Sequence, residues 1–230
     1  MTVEPHSAPE SDLIGRVLAP ALRLWLRSQL DEIEQLQLVI GGKNRQILTG
    51  YIPEVFLQAD HAVYQGMHLS HIELKAAQIR INLGQILKGK SLNLLQPVPV
   101  NGIVQLTFAD LQASLAAPLL ATALNDIVTE RVPSEFVPQL QSPQWQQIQL
   151  VGSEIQLSGI AHQTPISFGG SLTLANPQTL TIDPLHFSFG SDRHVLEAMQ
   201  LDLGPEVAFE ALDVDCERLQ LAGTIMVTPA

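Results

Sequence analysis

Apolar residues recur at helical spacing close to the N-terminus, which predicts a first amphipathic helix over roughly residues 12–30. On a helical wheel Arg16, Arg23 and Arg27 fall within one narrow stripe, opposite a wide apolar arc. Pro20 lies inside this span and lacks an N–H, so we expect a kink or a broken first turn there. The apolar positions are Leu13, Ile14, Val17, Leu18, Ala21, Leu22 and Trp25.

From residue 33 to residue 106 the apolar period changes to two, which predicts short antiparallel strands joined by hairpins. The segment 41–44, Gly-Gly-Lys-Asn, is typical of a turn between two of these strands. The alternation slips near Ser70 and again near Ala77, and we interpret the slips as bulges that curve the sheet. A sheet that curves in this way is expected to wrap around another element.

A second amphipathic helix is predicted over residues 107–131, with Pro118 inside it. Thr107 followed by Asp110 has the spacing of an N-terminal cap, and the helix is expected to end near Arg131, before Pro133. Strand-like alternation then resumes from residue 145 to residue 228, interrupted by prolines at turns or sheet edges.

This order of elements predicts an α+β fold in which long, curved antiparallel sheets wrap two long amphipathic helices. We expect a flexible tail over residues 1–11, followed by a single domain over residues 12–230. That domain can be divided into two halves, each a helix followed by a meander, at 12–106 and 107–230. The space between helices and sheets is a candidate slot for a lipid chain.

Composition and charge narrow the choice of partners. Hydrophobic residues make up 46% of the chain and charged residues 15%, which excludes disorder over most of its length. Residues 1–90 hold nine Lys or Arg and nine Asp or Glu, whereas residues 91–230 hold three and fourteen, which gives the net charge of −11. Phosphate would repel such a chain, so we expect no nucleic-acid partner.

The sequence gives two indications of location. No apolar run approaches the roughly 20 residues that a membrane-spanning helix needs, and residues 1–11 do not resemble an export signal. The single cysteine, Cys216, excludes an intramolecular disulfide and fits a reducing compartment. We therefore expect a cytoplasmic protein, and the cationic stripe of the first helix, which could meet anionic headgroups, favours peripheral association with a membrane.

Several motifs suggest chemistry that their context argues against. Residues 84–91 match the letters of a phosphate-binding loop, but Pro97 and Pro99 follow where a helix would have to form, so a turn is the better interpretation. His61, His68 and His71 lack the further ligands of a metal site. We recognise no catalytic triad, paired carboxylates or CxxC motif, and therefore expect no metal, no cofactor and no enzymatic activity.

Five segments of the chain stand out together: residues 18–26 (LAPALRLWL), 47–53 (ILTGYIP), 62–70 (AVYQGMHLS), 79–84 (IRINLG) and 110–115 (DLQASL). In combination they resemble the bacterial LmeA-like family of phospholipid-binding proteins. The resemblance implies a tubular lipid-binding architecture in which a curved antiparallel sheet wraps a long helix and leaves an apolar groove. It also implies a phospholipid or another hydrophobic ligand as partner, bound without catalysis.

From this we predict a non-enzymatic protein that docks on a membrane surface and shields acyl chains from water. A second hypothesis is a scaffold or assembly factor whose acidic second half binds a basic protein partner. We place Arg23, Arg27, Lys88 and Lys90 near lipid headgroups or the membrane. The side chains predicted to line the groove are Leu18, Leu22, Trp25, Leu111, Leu115 and Leu119.

Overall fold

A computed structural model describes residues 18–140 and 143–229, without the side chains of residues 119, 123, 125, 126, 128 and 129. Thirteen strands and five α-helices are assigned in these ranges. The helices are α1 (Ala19–Gln29), α2 (Asn44–Ile47), α3 (Leu83–Ile86), α4 (Phe108–Ala113) and α5 (Pro118–Arg131).

The strands form antiparallel meanders, as the period of two predicts. They are β1 (Glu32–Gly41), β2 (Tyr51–Tyr64), β3 (Met67–Arg80), β4 (Val98–Thr107), β5 (Gln144–Val151), β6 (Glu154–Ala161), β7 (Thr164–Asn176), β8 (Thr179–Ile182), β9 (Leu185–Phe189), β10 (Asp192–Leu196), β11 (Met199–Asp202), β12 (Val207–Val214) and β13 (Arg218–Val227).

The strands form two open sheets. The first has six strands in the order β1-β2-β3-β4-β13-β12, and the second has seven, with the path β10-β9-β7-β6-β5 and the pair β8 and β11 attached to β7. Strands β12 and β13 come from the C-terminal end of the chain and complete the first sheet beside β4. The two predicted halves of the domain therefore share one sheet.

Near Ser70 the apolar side chains move from one face of the sheet to the other. This change occurs without the bulge that the sequence suggested. Asp60 pairs with His71 and Ala62 pairs with Leu69, so the register of β2 and β3 is the same on both sides of the change. His61 has a φ of 52°. Gln78, beside the second slip, has a φ of 56°. One residue in the left-handed region therefore turns the following side chains to the other face while the strands stay in register.

The first predicted helix is present over the residues that the structure describes. Helix α1 covers Ala19–Gln29, and residues 12–17 of the prediction lie outside the described residues. The carbonyl of Arg16, whose hydrogen bond a proline at position 20 would remove, lies outside them as well. The kink or broken first turn at Pro20 therefore stays a prediction.

The prediction of one long second helix is wrong. Helix α4 ends at Ala113, a 3₁₀ turn follows over Ser114–Ala116, and α5 begins at Pro118. Ala117 is extended, with a ψ of 134°, because a proline disfavours the helical conformation in the residue before it. The predicted ends hold: the Asp110 N–H donates to Thr107 Oγ1 at 3.3 Å, and α5 ends at Arg131.

The buried side chains form separate clusters. One lies between α1 and the first sheet and contains only aliphatic residues, among them Leu22, Ile52 and Ile79. A larger cluster joins α4, α5 and the second sheet to one end of the first sheet, where Leu106 and Leu219 contribute to it. The structure is thus α+β and rich in antiparallel strand, but it does not support the prediction of two long amphipathic helices: in the described ranges α1 has 11 residues and α5 has 14.

Candidate functional site

The inner side of α1 covers the aliphatic face of the first sheet. Leu18 and Leu22 are only 2% and 6% exposed, and they belong to the same buried cluster as Ile52 and Ile79 of strands β2 and β3. Trp25, one helical turn beyond Leu22, is half-buried against this cluster. The structure therefore brings together the three site residues that the sequence placed on the first helix.

Partly buried apolar side chains of α1 and of the neighbouring edge strand β1 pack against the clusters beneath the helix. Among the described strands, β1 has a partner only in β2. We call this set of side chains the α1–β1 seam and define it by Trp25, Leu26, Leu30, Leu36, Leu38 and Ile40.

The outer side of α1 is cationic and open to solvent. Arg23 and Arg27 are exposed, as predicted, and Leu24 beside them is 72% exposed. The positive charge of Arg27 lies in the last turn of the helix, where it complements the partial negative charge of the C-terminal carbonyls.

The remaining predicted ligand residues lie elsewhere. Leu111 of α4 is buried in the larger cluster with the second sheet, and Leu115 is partly buried against the same cluster. Leu119 lies in α5, and its side chain is not among those described. The structure therefore does not join Leu111 and Leu115 to the α1 residues in one continuous cluster.

The two polar residues that are buried in the described ranges have their hydrogen bonds made locally. Ser114 accepts from the His68 N–H at 2.8 Å and donates to the Asp110 carbonyl at 2.7 Å. Asn82 accepts from the Asn93 N–H at 2.8 Å and donates to the Ser91 carbonyl at 3.0 Å. Neither offers a free polar group to a ligand, so the surroundings of α1 suit a hydrocarbon chain.

Lys88 and Lys90 lie in the connection between β3 and β4. This connection contains the short helix α3, and no helix follows Ser91 before β4 begins at Val98. The segment that matches a phosphate-binding loop is therefore a turn between antiparallel strands, as predicted. Both lysines are exposed at this turn.

A cationic depression that the sequence analysis did not identify lies next to this turn. Its volume is about 490 Å³, and Arg45 and Arg80 provide its charge. The guanidinium of Arg80 lies over the Tyr51 ring, 5.6 Å from the ring centroid. One signal was present in the sequence: segments 41–53 and 78–101 contain no Asp or Glu but hold Lys43, Arg45, Arg80, Lys88 and Lys90.

The three clustered histidines do not form a ligand set. His71 lies between two carboxylates, with Nδ1 2.6 Å from Asp60 Oδ1 and Nε2 3.2 Å from Glu73 Oε1. The two carboxylates contact opposite sides of the ring and so do not converge on one point. Among the described residues, no three His, Cys, Asp or Glu side chains are grouped to hold a metal ion.

The pKa of His71 is raised above its ordinary value, chiefly by the hydrogen bond to Asp60, although burial opposes the shift. The two ion pairs of His71 therefore contribute their full stabilisation at a pH below the unfolded-state pKa of about 6.5. This stabilisation is lost as the pH rises through the raised pKa of the folded state. We expect His71→Gln to lower the free energy of unfolding more near about pH 5.5 than near about pH 9. Urea denaturation at both pH values would measure this. His162→Gln, at an exposed turn, is the control, and an equal loss at both pH values would contradict the expectation.

Comparison with known proteins supplies a family. A family model described as LmeA-like phospholipid-binding matches residues 10–224. The chain belongs to the LmeA-like phospholipid-binding family. Neither the curated proteins nor the solved structures include a match.

Membership of the LmeA-like family confirms the resemblance that the sequence showed and indicates lipid binding. The family is described by what it binds and not by a reaction, which fits a non-enzymatic protein. In the described part of the chain, no helix is long and apolar enough to cross a membrane.

Proposed function

We propose that the protein binds a phospholipid without converting it, and that it holds the acyl chains between α1 and the first sheet. The α1–β1 seam carries this proposal. It is a set of partly buried apolar side chains at a sheet edge, packed against buried clusters made only of aliphatic side chains.

Hydrocarbon burial supplies enough affinity for such a site. Each methylene removed from water contributes about 0.8 kcal/mol, so eight methylenes contribute about 6 kcal/mol before the cost of association. The ligand therefore needs no precise set of polar contacts. This agrees with the described surroundings of α1, where the buried polar residue Asn82 has its hydrogen bonds made by Asn93 and Ser91.

The headgroup would stay at the surface, next to basic side chains. Arg23 and Arg27 on the outer side of α1 and Lys88 and Lys90 in the β3–β4 connection are exposed cations that can approach phosphate. An amphipathic helix with such a polar side is suited to lie at a membrane surface. The protein would thus take up its ligand there as a peripheral protein.

Trp25 and Trp145 are the two tryptophans of the chain, which allows a direct test of the site. In a Trp145→Phe protein, Trp25 is the remaining tryptophan. We expect a monomeric lysophospholipid with a brominated acyl chain to quench its fluorescence strongly, since the bromine atoms would lie in the seam. Titration below the critical micelle concentration measures the dissociation constant.

The matched control is Trp25→Phe, which keeps Trp145 in the larger cluster against Phe168. We expect little quenching of Trp145 by the same lipid. Equal quenching of both tryptophans, or of neither, would contradict a site beneath α1.

Native mass spectrometry of the freshly purified protein separates the proposal from the scaffold hypothesis. A discrete adduct with the mass of a lipid supports the proposed function. A stoichiometric protein partner together with no lipid adduct, even after incubation with vesicles, would favour a scaffold that uses the acidic second half. The cytoplasmic location stays a prediction, which cell fractionation would test.

A further inference from the structure

Two connections at one end of the first sheet have the same local structure. Residues 46–50 read Gln-Ile-Leu-Thr-Gly and residues 85–89 read Gln-Ile-Leu-Lys-Gly. Each segment completes a single helical turn, α2 or α3, and each ends at a glycine in the left-handed region, Gly50 at φ 79° and Gly89 at φ 78°. These glycines close the turns as helix C-terminal residues usually do.

In both turns the isoleucine is buried and the leucine faces solvent. Ile47 and Ile86 are 3% and 8% exposed and belong to the aliphatic cluster beneath α1. Leu48 and Leu87, the next residues, are 56% and 57% exposed. In each of the two turns, a buried isoleucine is thus followed by a leucine whose side chain is exposed to solvent.

The two turns are neighbours in space. The Ile81 N–H donates to the Gly50 carbonyl at 2.9 Å, and a Cβ at Gly50 would lie 3.7 Å from the Cβ of Leu83. A third exposed leucine, Leu95, is 60% exposed, and its N–H donates to the Arg80 carbonyl at 2.8 Å. Three exposed leucines, from two connections, therefore lie at one end of the sheet.

The same end carries exposed cations. Segments 41–53 and 78–101 contribute five basic residues and no acidic residue, although the chain as a whole has a net charge of −11. The nearest carboxylate of β2, Glu54, is paired with Lys75 at 2.6 Å. We call this surface the basic tip and define it by Leu48, Leu87, Leu95, Lys43, Arg45, Arg80, Lys88 and Lys90.

At the end of the first sheet opposite the basic tip, the β2–β3 turn contacts the start of α5, since a Cβ at Gly66 would lie 3.2 Å from the Cα of Ala117. Strands β2 and β3 have 14 residues each, which corresponds to about 45 Å. The second sheet also contacts β12, where the Phe209 N–H donates to the Pro177 carbonyl at 2.7 Å. Because β13 and β4 lie between β12 and β3 in the strand order, the tip is on the side of the first sheet away from this contact.

We propose that the basic tip inserts Leu48 and Leu87 into a bilayer surface that contains anionic phospholipid, with the surrounding cations against the headgroups. This inference rests on the proposed function and specifies where the protein meets its membrane. Apolar side chains ringed by Lys and Arg bind anionic bilayers through burial and charge together. The acidic second half would be repelled by the same surface, which fixes the orientation.

The position of the tip also gives the lipid a path. Ile40 at the end of the seam and Leu18 and Leu22 of α1 belong to the same cluster as Ile47 and Ile86 beneath the two turns. A lipid that leaves the bilayer at the tip would therefore enter the α1–β1 seam along a continuous apolar surface.

The test is flotation of the full chain with two kinds of vesicle, phosphatidylcholine alone and phosphatidylcholine with about one-third phosphatidylglycerol. We expect the wild type to bind the anionic vesicles, and Leu48→Gln with Leu87→Gln to weaken that binding by about tenfold or more. Lys88→Gln with Lys90→Gln should weaken it by a similar factor, and the loss should be smaller at high salt, where screening already reduces the attraction.

The control for the leucine variant is Val151→Gln with Val195→Gln, which removes two aliphatic side chains that are 49% and 71% exposed in the second half. This control should bind anionic vesicles like the wild type. Because all four positions are exposed, circular dichroism should show every variant folded.

Binding of monomeric brominated lysophospholipid separates this proposal from the proposed function. If the leucine variant binds the monomer like the wild type but loses the vesicles, both proposals stand. If the leucine variant binds anionic vesicles as the wild type does, or the wild type binds none, the tip is not the docking surface. Self-association of the wild type that the leucine variant abolishes, without vesicle binding, would show instead that the tip contacts a second copy. If the wild type does not bind the monomeric lysophospholipid, the proposed function itself is overturned.

Discussion

Phe187→Ala is expected to lower the free energy of unfolding by about 3–5 kcal/mol. Phe187 is 1% exposed and lies at the centre of the larger cluster. Its ring is stacked on Phe168 at a centroid distance of 4.9 Å and meets the edge of Phe136 at 5.6 Å. The neighbours come from β7 and from the segment after α5, so the cavity would be held open by separate elements and collapse little.

Urea denaturation followed by far-ultraviolet circular dichroism measures this loss. Phe187→Leu is the conservative control, since it retains most of the apolar volume and should lose clearly less stability. A loss below about 1 kcal/mol for Phe187→Ala would mean that the second sheet does not pack as described.

Ile52→Ala is expected to lower the free energy of unfolding by about 2–5 kcal/mol. Ile52 is 0% exposed and lies in the aliphatic cluster between α1 and the first sheet. The sheet backbone around Ile52 is held by the ladder between β2 and β3, in which Ile52 pairs with Ile79, so the cavity would collapse little.

The same denaturation experiment, with Ile52→Val as the control, measures this loss. The control removes one methylene and should cost about 0.5–1.5 kcal/mol. Equal stability of Ile52→Ala and the wild type would contradict the packing of α1 on the sheet.

Ile52→Ala and Phe187→Ala also test which of the two cores adjoins the bound lipid. At a temperature where both stay folded, Ile52→Ala should alter the dissociation constant for the brominated lipid, because its cavity adjoins the proposed acyl-chain site. Phe187→Ala should leave that constant near the wild-type value, since its cavity lies in the other cluster. The opposite pattern would place the lipid next to the second sheet.

Local signals determined much of what was predicted. The period of two identified the meanders, and the Thr107 and Asp110 pair identified the start of α4, because backbone geometry and capping depend on neighbours in sequence. Pro118 was misread: its effect on Ala117 is also local, and the rule for the residue before a proline would have divided the helix correctly.

The basic tip could have been found in part from the sequence. The acid-free segments 41–53 and 78–101 and the repeated Gln-Ile-Leu-x-Gly pattern are visible without coordinates. Their adjacency is not visible, because it depends on the pairing of β2 with β3, which brings Gly50 against Ile81.

By itself the sequence determined the α+β class, the positions of most strands, the charge asymmetry and the resemblance to a phospholipid-binding family. Only the tertiary structure decided that Leu22 and Leu111 lie in different cores and that β12 and β13 complete the first sheet. Helical period gives a side chain a direction on its own helix, but it does not say which surface that side meets. That choice depends on contacts between distant segments, which form only when the whole chain packs.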